Sequence, residues 1–186
     1  LSFNFCASAT YIVNDLLDLE EDRCHEVKKH RPFASGQISA GSGLLLALAC
    51  LLVSAGIAGF LPHAFFEVLA IYFCLTCLYS FFLKRLLLVD VLALALLYTL
   101  RIFAGSQATG IVLSLWLLSF AFFLFLSLAF LKRAADLIHH RAHDRDIVPG
   151  RGYTADDLEA ISIAGICSGF LSSLILTLYT NSDTVQ

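Results

Sequence analysis

The sequence predicts an all-α protein, a polytopic transmembrane helical bundle, and three observations carry that prediction. Hydrophobic residues make up 59% of the 186 positions against 15% charged, far from the balance of ordinary soluble domains. The apolar residues come in solid runs of about 20, the length that crosses a ~30 Å hydrocarbon core. Basic residues fall between those runs in an alternating pattern. The runs are dense in Leu, Ala and Phe rather than alternating, which makes helices and not barrel strands the spanning element.

In chain order, residues 1–13 read as the tail of a helix, followed by spans over 42–61, 64–83, 87–107, 111–131 and 158–180. The chain opens inside an apolar segment without an initiator Met and contains no Met at all, so a longer protein is expected. Its first residues lack the basic region and small-residue cleavage site of a signal peptide. Eleven of the twelve Lys and Arg fall in 14–41, at 84–85 and in 132–157, while the turns "LPHA" and "GSQATG" hold none. By the positive-inside rule the basic loops are expected to face the cytoplasm, most simply that of a bacterial inner membrane. A net charge of −3 argues for no nucleic-acid partner. The six cysteines lie mostly inside apolar runs and read as small buried hydrophobes, and Cys74-x-x-Cys77 has no second pair at zinc spacing.

The densest polar stretch is "NDLLDLEEDRCHEVKKHRPFASG", residues 14–36. Asp15, Asp18 and Asp22 are spaced i, i+3, i+7, which on a continuous helix places them within about 60° of one another. Asn14 lies beside them. Carboxylates stacked in this way repel and call for a cation; Mg²⁺ suits them, because it accepts a few carboxylates and keeps positions for water and phosphate oxygens. A solvated acidic helix end neutralised by Arg23, Lys28 and Lys29 is the other reading of the same residues. Lys28, Lys29 and Arg31 suit phosphate as point charges and as a guanidinium fork, and Pro32 with Gly36 allows the loop to turn back.

Two further polar segments follow. "YSFFLKRLLLVD" supplies Tyr79, Lys84, Arg85 and Asp90, and Arg101 lies eleven residues beyond Asp90 on nearly the same helix face. An arginine in an apolar run is a functional candidate by default, with pairing to another helix or snorkelling as the structural alternative. In "LKRAADLIHHRAHDRDIVPGRGYT", Lys132, Arg133 and Asp136 close the preceding helix. His139, His143, Asp144 and Asp146 allow a transition-metal site to be drawn, against the simpler reading of a mixed juxtamembrane loop.

The stretch from Asn14 to Gly36 resembles the first signature of the UbiA superfamily of intramembrane prenyltransferases, an NDxxDxxxD followed by R-P-x-x-x-G, matched here by Asn14, Asp15, Asp18, Asp22, Arg31, Pro32 and Gly36. The resemblance covers nearly the whole chain as a single, incomplete domain over 1–186, about six of the family's nine helices. It implies Mg²⁺ on Asp15, Asp18 and Asp22, and a diphosphate donor held by Arg31 with Lys28 or Lys29. Where the family carries a second aspartate-rich motif, this chain has "KRAADL". That substitution is similar to the branch that moves a phosphoribosyl group from phosphoribosyl diphosphate to decaprenyl phosphate. The implied reacting set is Asp15, Asp18, Asp22, Lys132 and Asp136, and the substrate-binding set Asn14, Lys28, Lys29, Arg31, Tyr79, Lys84, Arg101 and Arg133. The implied partners are membrane lipids, a lipid-phosphate acceptor and the diphosphate donor. Prenyl transfer to an aromatic acceptor, and an inactive or purely structural membrane fragment, are the competing readings.

Overall fold

The computed structural model describes residues 1–24, 27–141 and 152–181, the side chains of His140 and Ala155 aside. Among these residues the regular structure is entirely helical, and five helices are long and apolar enough to cross a membrane. The predicted fold class and the number of spans therefore hold. The chain divides into two compact units, residues 1–80 and 81–186.

The first unit contains α1 (Ser2–Leu17), α2 (Leu19–Cys24), α3 (Ala40–Ala58) and α4 (His63–Phe81). α1 packs along α3, and the buried positions of α3 are Gly43, Ala47, Ser54 and Ala58. Lipid offers no hydrophobic drive for helix association, so close backbone approach through small residues and interhelical hydrogen bonds supply the attraction. Both are present, since the Ser2 hydroxyl donates to the Ser54 carbonyl at 2.9 Å and the Ser54 hydroxyl donates back to the Ser2 carbonyl at 2.8 Å. The opposite face of α3 carries exposed Leu44, Leu45, Leu48 and Leu52, costless against acyl chains. Phe3 of α1 stacks near Phe65 and Tyr72 of α4.

The loop before α3 is built to hold one residue in place. Arg31 precedes a proline and is accordingly extended, φ −61° and ψ 147°. The chain then turns, with the Ser35 amide donating to the Arg31 carbonyl and the Ile38 amide to the Pro32 carbonyl. Gly36 takes the left-handed conformation, φ +78°. Phe33 is driven under α3 where Gly43 leaves space; a Cβ there would sit 2.5 Å from the Phe33 ring. Ser39 caps α3 by accepting from the Ser42 amide.

The second unit contains α5 (Val89–Thr109), α6 (Leu115–Arg141) and α7 (Leu158–Thr180), with α6 packed against both of the others. Its core joins Val91 and Ala95, Leu126, Phe130, Ala134 and Leu137, Ile161, and Tyr153 from the segment before α7. Gly165 and Gly169 set the α6 to α7 contact. A Cβ at Gly165 would stand 3.0 Å from Phe130 Cβ, and one at Gly169 would stand 3.1 Å from Ser127 Oγ. Ser127 Oγ donates to the Gly165 carbonyl at 2.8 Å.

Boundaries differ from expectation in three places. α5 runs through most of "GSQATG" to Thr109, where Gly110 at φ +71° ends it. α6 starts at Leu115 rather than 111 and continues to Arg141, so Lys132 to His139 are helical. The stretch from Asp15 to Asp22 is not one helix, because Asp18 stands between α1 and α2 at φ −90°, ψ 9°.

Candidate functional site

In the first unit the aspartates and the basic loop meet. One guanidinium nitrogen of Arg31, Nη1, donates to Asp15 Oδ1 at 2.8 Å and to Asp22 Oδ2 at 2.7 Å. Lys28 Nζ stands 3.9 Å from the other oxygen of Asp22. Asp18 Oδ2 accepts from Asn14 Nδ2 at 3.1 Å. The expected three-carboxylate face is thus two carboxylates converging on one cation, with Asp18 held by Asn14 at the helix break. Among the described residues no three His, Cys, Asp or Glu are arranged as a metal cage.

Burial is uneven across the group. The Asp22 side chain is 3% exposed, that of Asp15 29% and that of Arg31 38%. Burial pushes the Asp15 carboxyl above its ordinary value; Arg31 pulls the other way, and the neighbouring charges of Asp22 and Asp18 raise it again. The donor set fits Mg²⁺, which needs only one or two carboxylates when waters and phosphate oxygens complete its octahedron. Lys29, next in the chain to Lys28, is exposed.

The second unit holds a separate buried network that the sequence only partly announces. Asp90, in the first turn of α5, is fully buried. Arg133 Nε donates to its Oδ2 at 2.6 Å, and the Tyr153 hydroxyl donates to its Oδ1. Arg133 Nη1 reaches Asp136 Oδ2 at 3.0 Å. The Arg133 side chain is 2% exposed and that of Asp136 39%, so this chain of bonds leads from a sealed carboxylate to an accessible one. Burial first, then the bond to Asp90, pushes the Tyr153 phenol far above its usual value, which keeps it a proton donor.

The backbone around Asp90 is shaped to match. Leu88 sits at φ +63°, an uncommon conformation for a bulky residue. The Val89 amide bonds the Leu87 carbonyl at 2.7 Å across it, forming a γ-turn. The Leu88 amide donates to Tyr153 Oη at 3.3 Å. Gly152 comes so near the 83–85 turn that a Cβ on it would be 2.6 Å from the Arg85 carbonyl oxygen. A glycine and a tyrosine thus fasten this segment onto the start of α5.

The remaining predicted residues are placed as follows. Lys132 is exposed on α6; Tyr79 and Lys84 are partly exposed at the end of α4 and in the 83–85 turn. Arg101 is partly exposed, with its guanidinium 5.1 Å from the Tyr98 ring centre, a cation–π contact. Arg133 is buried, donating to Asp90 and Asp136. His139 is exposed on α6, while His143, Asp144 and Asp146 lie outside the described residues. Tyr153 and Leu88 were not anticipated. A tyrosine amid "RGYT" hints at the first, and nothing in "LLLVD" signals a positive φ.

Comparison with known proteins agrees with this architecture. The chain is 41% identical over 96% of its length to an uncharacterized protein of Sinorhizobium fredii, and 31% identical over its whole length to nodulation protein NoeC of Azorhizobium caulinodans. It is 36% identical over 74% of its length to the decaprenyl-phosphate phosphoribosyltransferase of Corynebacterium glutamicum. These alignments take in 35%, 60% and 42% of the relatives, so the chain spans between about a third and three fifths of their length. Its fold is similar to that of a UbiA homolog from Archaeoglobus fulgidus solved with DMAPP and Mg²⁺, at a TM-score of 0.72 and 22% identity over 94% of this chain and 60% of that one. The model of the UbiA prenyltransferase family matches residues 1–180. With that match running through the aspartate cluster, the Asp90 network and all five spans, this integral membrane chain belongs to the UbiA prenyltransferase family.

Proposed function

We propose that the protein transfers a 5-phosphoribosyl group from phosphoribosyl diphosphate to a polyprenyl phosphate, decaprenyl phosphate being the model acceptor, with Mg²⁺ as cofactor. The observation that carries this reading is the second unit's "KRAADL" segment. It keeps one accessible carboxylate, Asp136, braced by a buried arginine, in place of a second aspartate-rich motif. The similarity to the Corynebacterium enzyme supports it.

In this reading Asp15 and Asp22, with Asp18 and Asn14 beside them, hold the metal side of the donor, and Arg31, Lys28 and Lys29 bind its diphosphate. Mg²⁺ held there neutralises the charge that collects on the departing diphosphate. The ribose C1–O bond to diphosphate breaks as an oxygen of the lipid phosphate bonds to C1. The acceptor is already an anion at neutral pH, so no strong general base is required of the chain. The acceptor phosphate is assigned to Lys132, and stabilisation of the positive character that develops at the sugar to Asp136. Arg133 holds Asp136 in place. Tyr79, Lys84 and Arg101 complete the proposed substrate contacts, and the basic loops face the cytoplasm of a bacterial inner membrane.

The test is to offer the full-length protein labelled phosphoribosyl diphosphate with polyprenyl phosphate, and separately geranyl diphosphate with hydroxybenzoate. Lipid-linked phosphoribose is the expected product, lost in Asp15→Asn. Product only from the second pair would transfer the assignment to prenylation. Absence of product from both would favour an inactive or structural protein.

A further inference from the structure

Arg31 engages both carboxylates through one nitrogen, at 2.8 and 2.7 Å, and that nitrogen sits where a divalent cation shared by Asp15 and Asp22 would be. Asp22 is 3% exposed, and a carboxylate so removed from water is strongly destabilised without a paired cation. Lys28, at 3.9 Å and 45% exposed, is too distant and too solvated to serve alone. Whatever displaces Arg31 must therefore bring positive charge. The Arg31 side chain is 38% exposed, while its backbone is anchored by Phe33 beneath Gly43 and by the Ser35 and Ile38 amide bonds. The guanidinium is able to swing without moving the loop.

We propose that Arg31 is an exchangeable counter-ion: it occupies the metal position between Asp15 and Asp22 until Mg²⁺ enters, then turns its guanidinium onto the diphosphate that arrives with the metal. The inference rests on the reading that this cluster takes a metal-bound diphosphate, but not on which group is transferred. Metal and diphosphate then bind cooperatively. Mg²⁺ alone must displace an ion pair, and diphosphate gives the displaced guanidinium a new partner. By linkage each ligand tightens the other equally.

Inorganic pyrophosphate is the probe, because it serves a phosphoribosyl and a prenyl donor alike. Calorimetric titration of the detergent-purified full-length protein with Mg²⁺, corrected for magnesium pyrophosphate formed in solution, should show affinity about fivefold higher with pyrophosphate than without, the scale of a partly exposed ion pair. In Arg31→Gln, Mg²⁺ alone should bind about fivefold more tightly and its enhancement by pyrophosphate should shrink by about the same factor. Unchanged or weaker Mg²⁺ binding in a variant with wild-type helix content would overturn the exchange. A measurement on the wild type guards against misfolding of that variant. Phenylglyoxal modification of Arg31, mapped by mass spectrometry, should rise when Mg²⁺ is added alone and fall when pyrophosphate follows. Constant reactivity would sink the proposal. No binding of Mg²⁺ or pyrophosphate to the wild type would instead overturn the reading of the cluster itself.

Discussion

Asp90 and Arg133 show what a single residue decides in this chain. Both are almost completely withdrawn from water, and Arg133→Leu would leave the buried Asp90 carboxylate without the Arg133 charge, at a cost of about 3–5 kcal/mol. Tyr153→Phe removes the hydroxyl that donates to Asp90 Oδ1 and should cost about 1–3 kcal/mol. Thermal unfolding in detergent should rank the variants in that order. The phenol adds a pH signature. Its value is raised in the folded protein from the ordinary 10.0, so its stabilisation is complete below about pH 10 and is lost as pH rises toward the folded value. Tyr153→Phe should lack that alkaline component, and an identical alkaline profile in both proteins would show that Tyr153 does not supply it. Asp90 and Arg133 were visible as charges out of place in apolar runs. Their pairing was not, because 43 residues separate them and spacing arguments reach only a few helical turns.

Between elements, the α6 to α7 contact depends on what is missing from α7. Gly165→Ala would put a methyl 3.0 Å from Phe130 Cβ, against a helix that cannot yield cheaply, and should destabilise by about 1–3 kcal/mol. Gly169→Ala meets the Ser127 hydroxyl, which can rotate aside only by giving up its bond to the Gly165 carbonyl, and should cost about 0.5–1.5 kcal/mol. Gly105 in α5 faces open space, so Gly105→Ala should be neutral or stabilising by up to about 1 kcal/mol. Equal melting temperatures for the three variants would refute the close-packing account. The small residues of α7 can be read from the sequence, but which helix fills their notch cannot. The break at Asp18 was likewise hidden, since "NDLLDLEEDRC" contains no Gly or Pro, and the Asp22 amide still bonds the Asp18 carbonyl at 2.8 Å across it.

For the molecule as a whole, the alternation of charged and uncharged connections makes a prediction about sidedness. Cys24 is exposed in the first basic segment, whereas Pro62 lies exposed in an uncharged turn. In intact cells a membrane-impermeant thiol reagent should spare Cys24 and label Pro62→Cys, with both reacting after permeabilisation. Labelling of Cys24 from outside would invert the proposed orientation.

The sequence by itself determined the solvent, the helical class and the number of spans, and it singled out the residues proposed for a metal and a diphosphate. These depend on composition, run length and local spacing, which act along the chain. Tertiary structure decided the partners. It gave Arg31 to Asp15 and Asp22 together, sealed Arg133 behind Asp90, and bent Leu88 into a positive φ under Tyr153. Asp22, Asp90 and Arg133 are buried, and the cost of burying a charge without a partner is met in each case by a residue from a different segment of the fold.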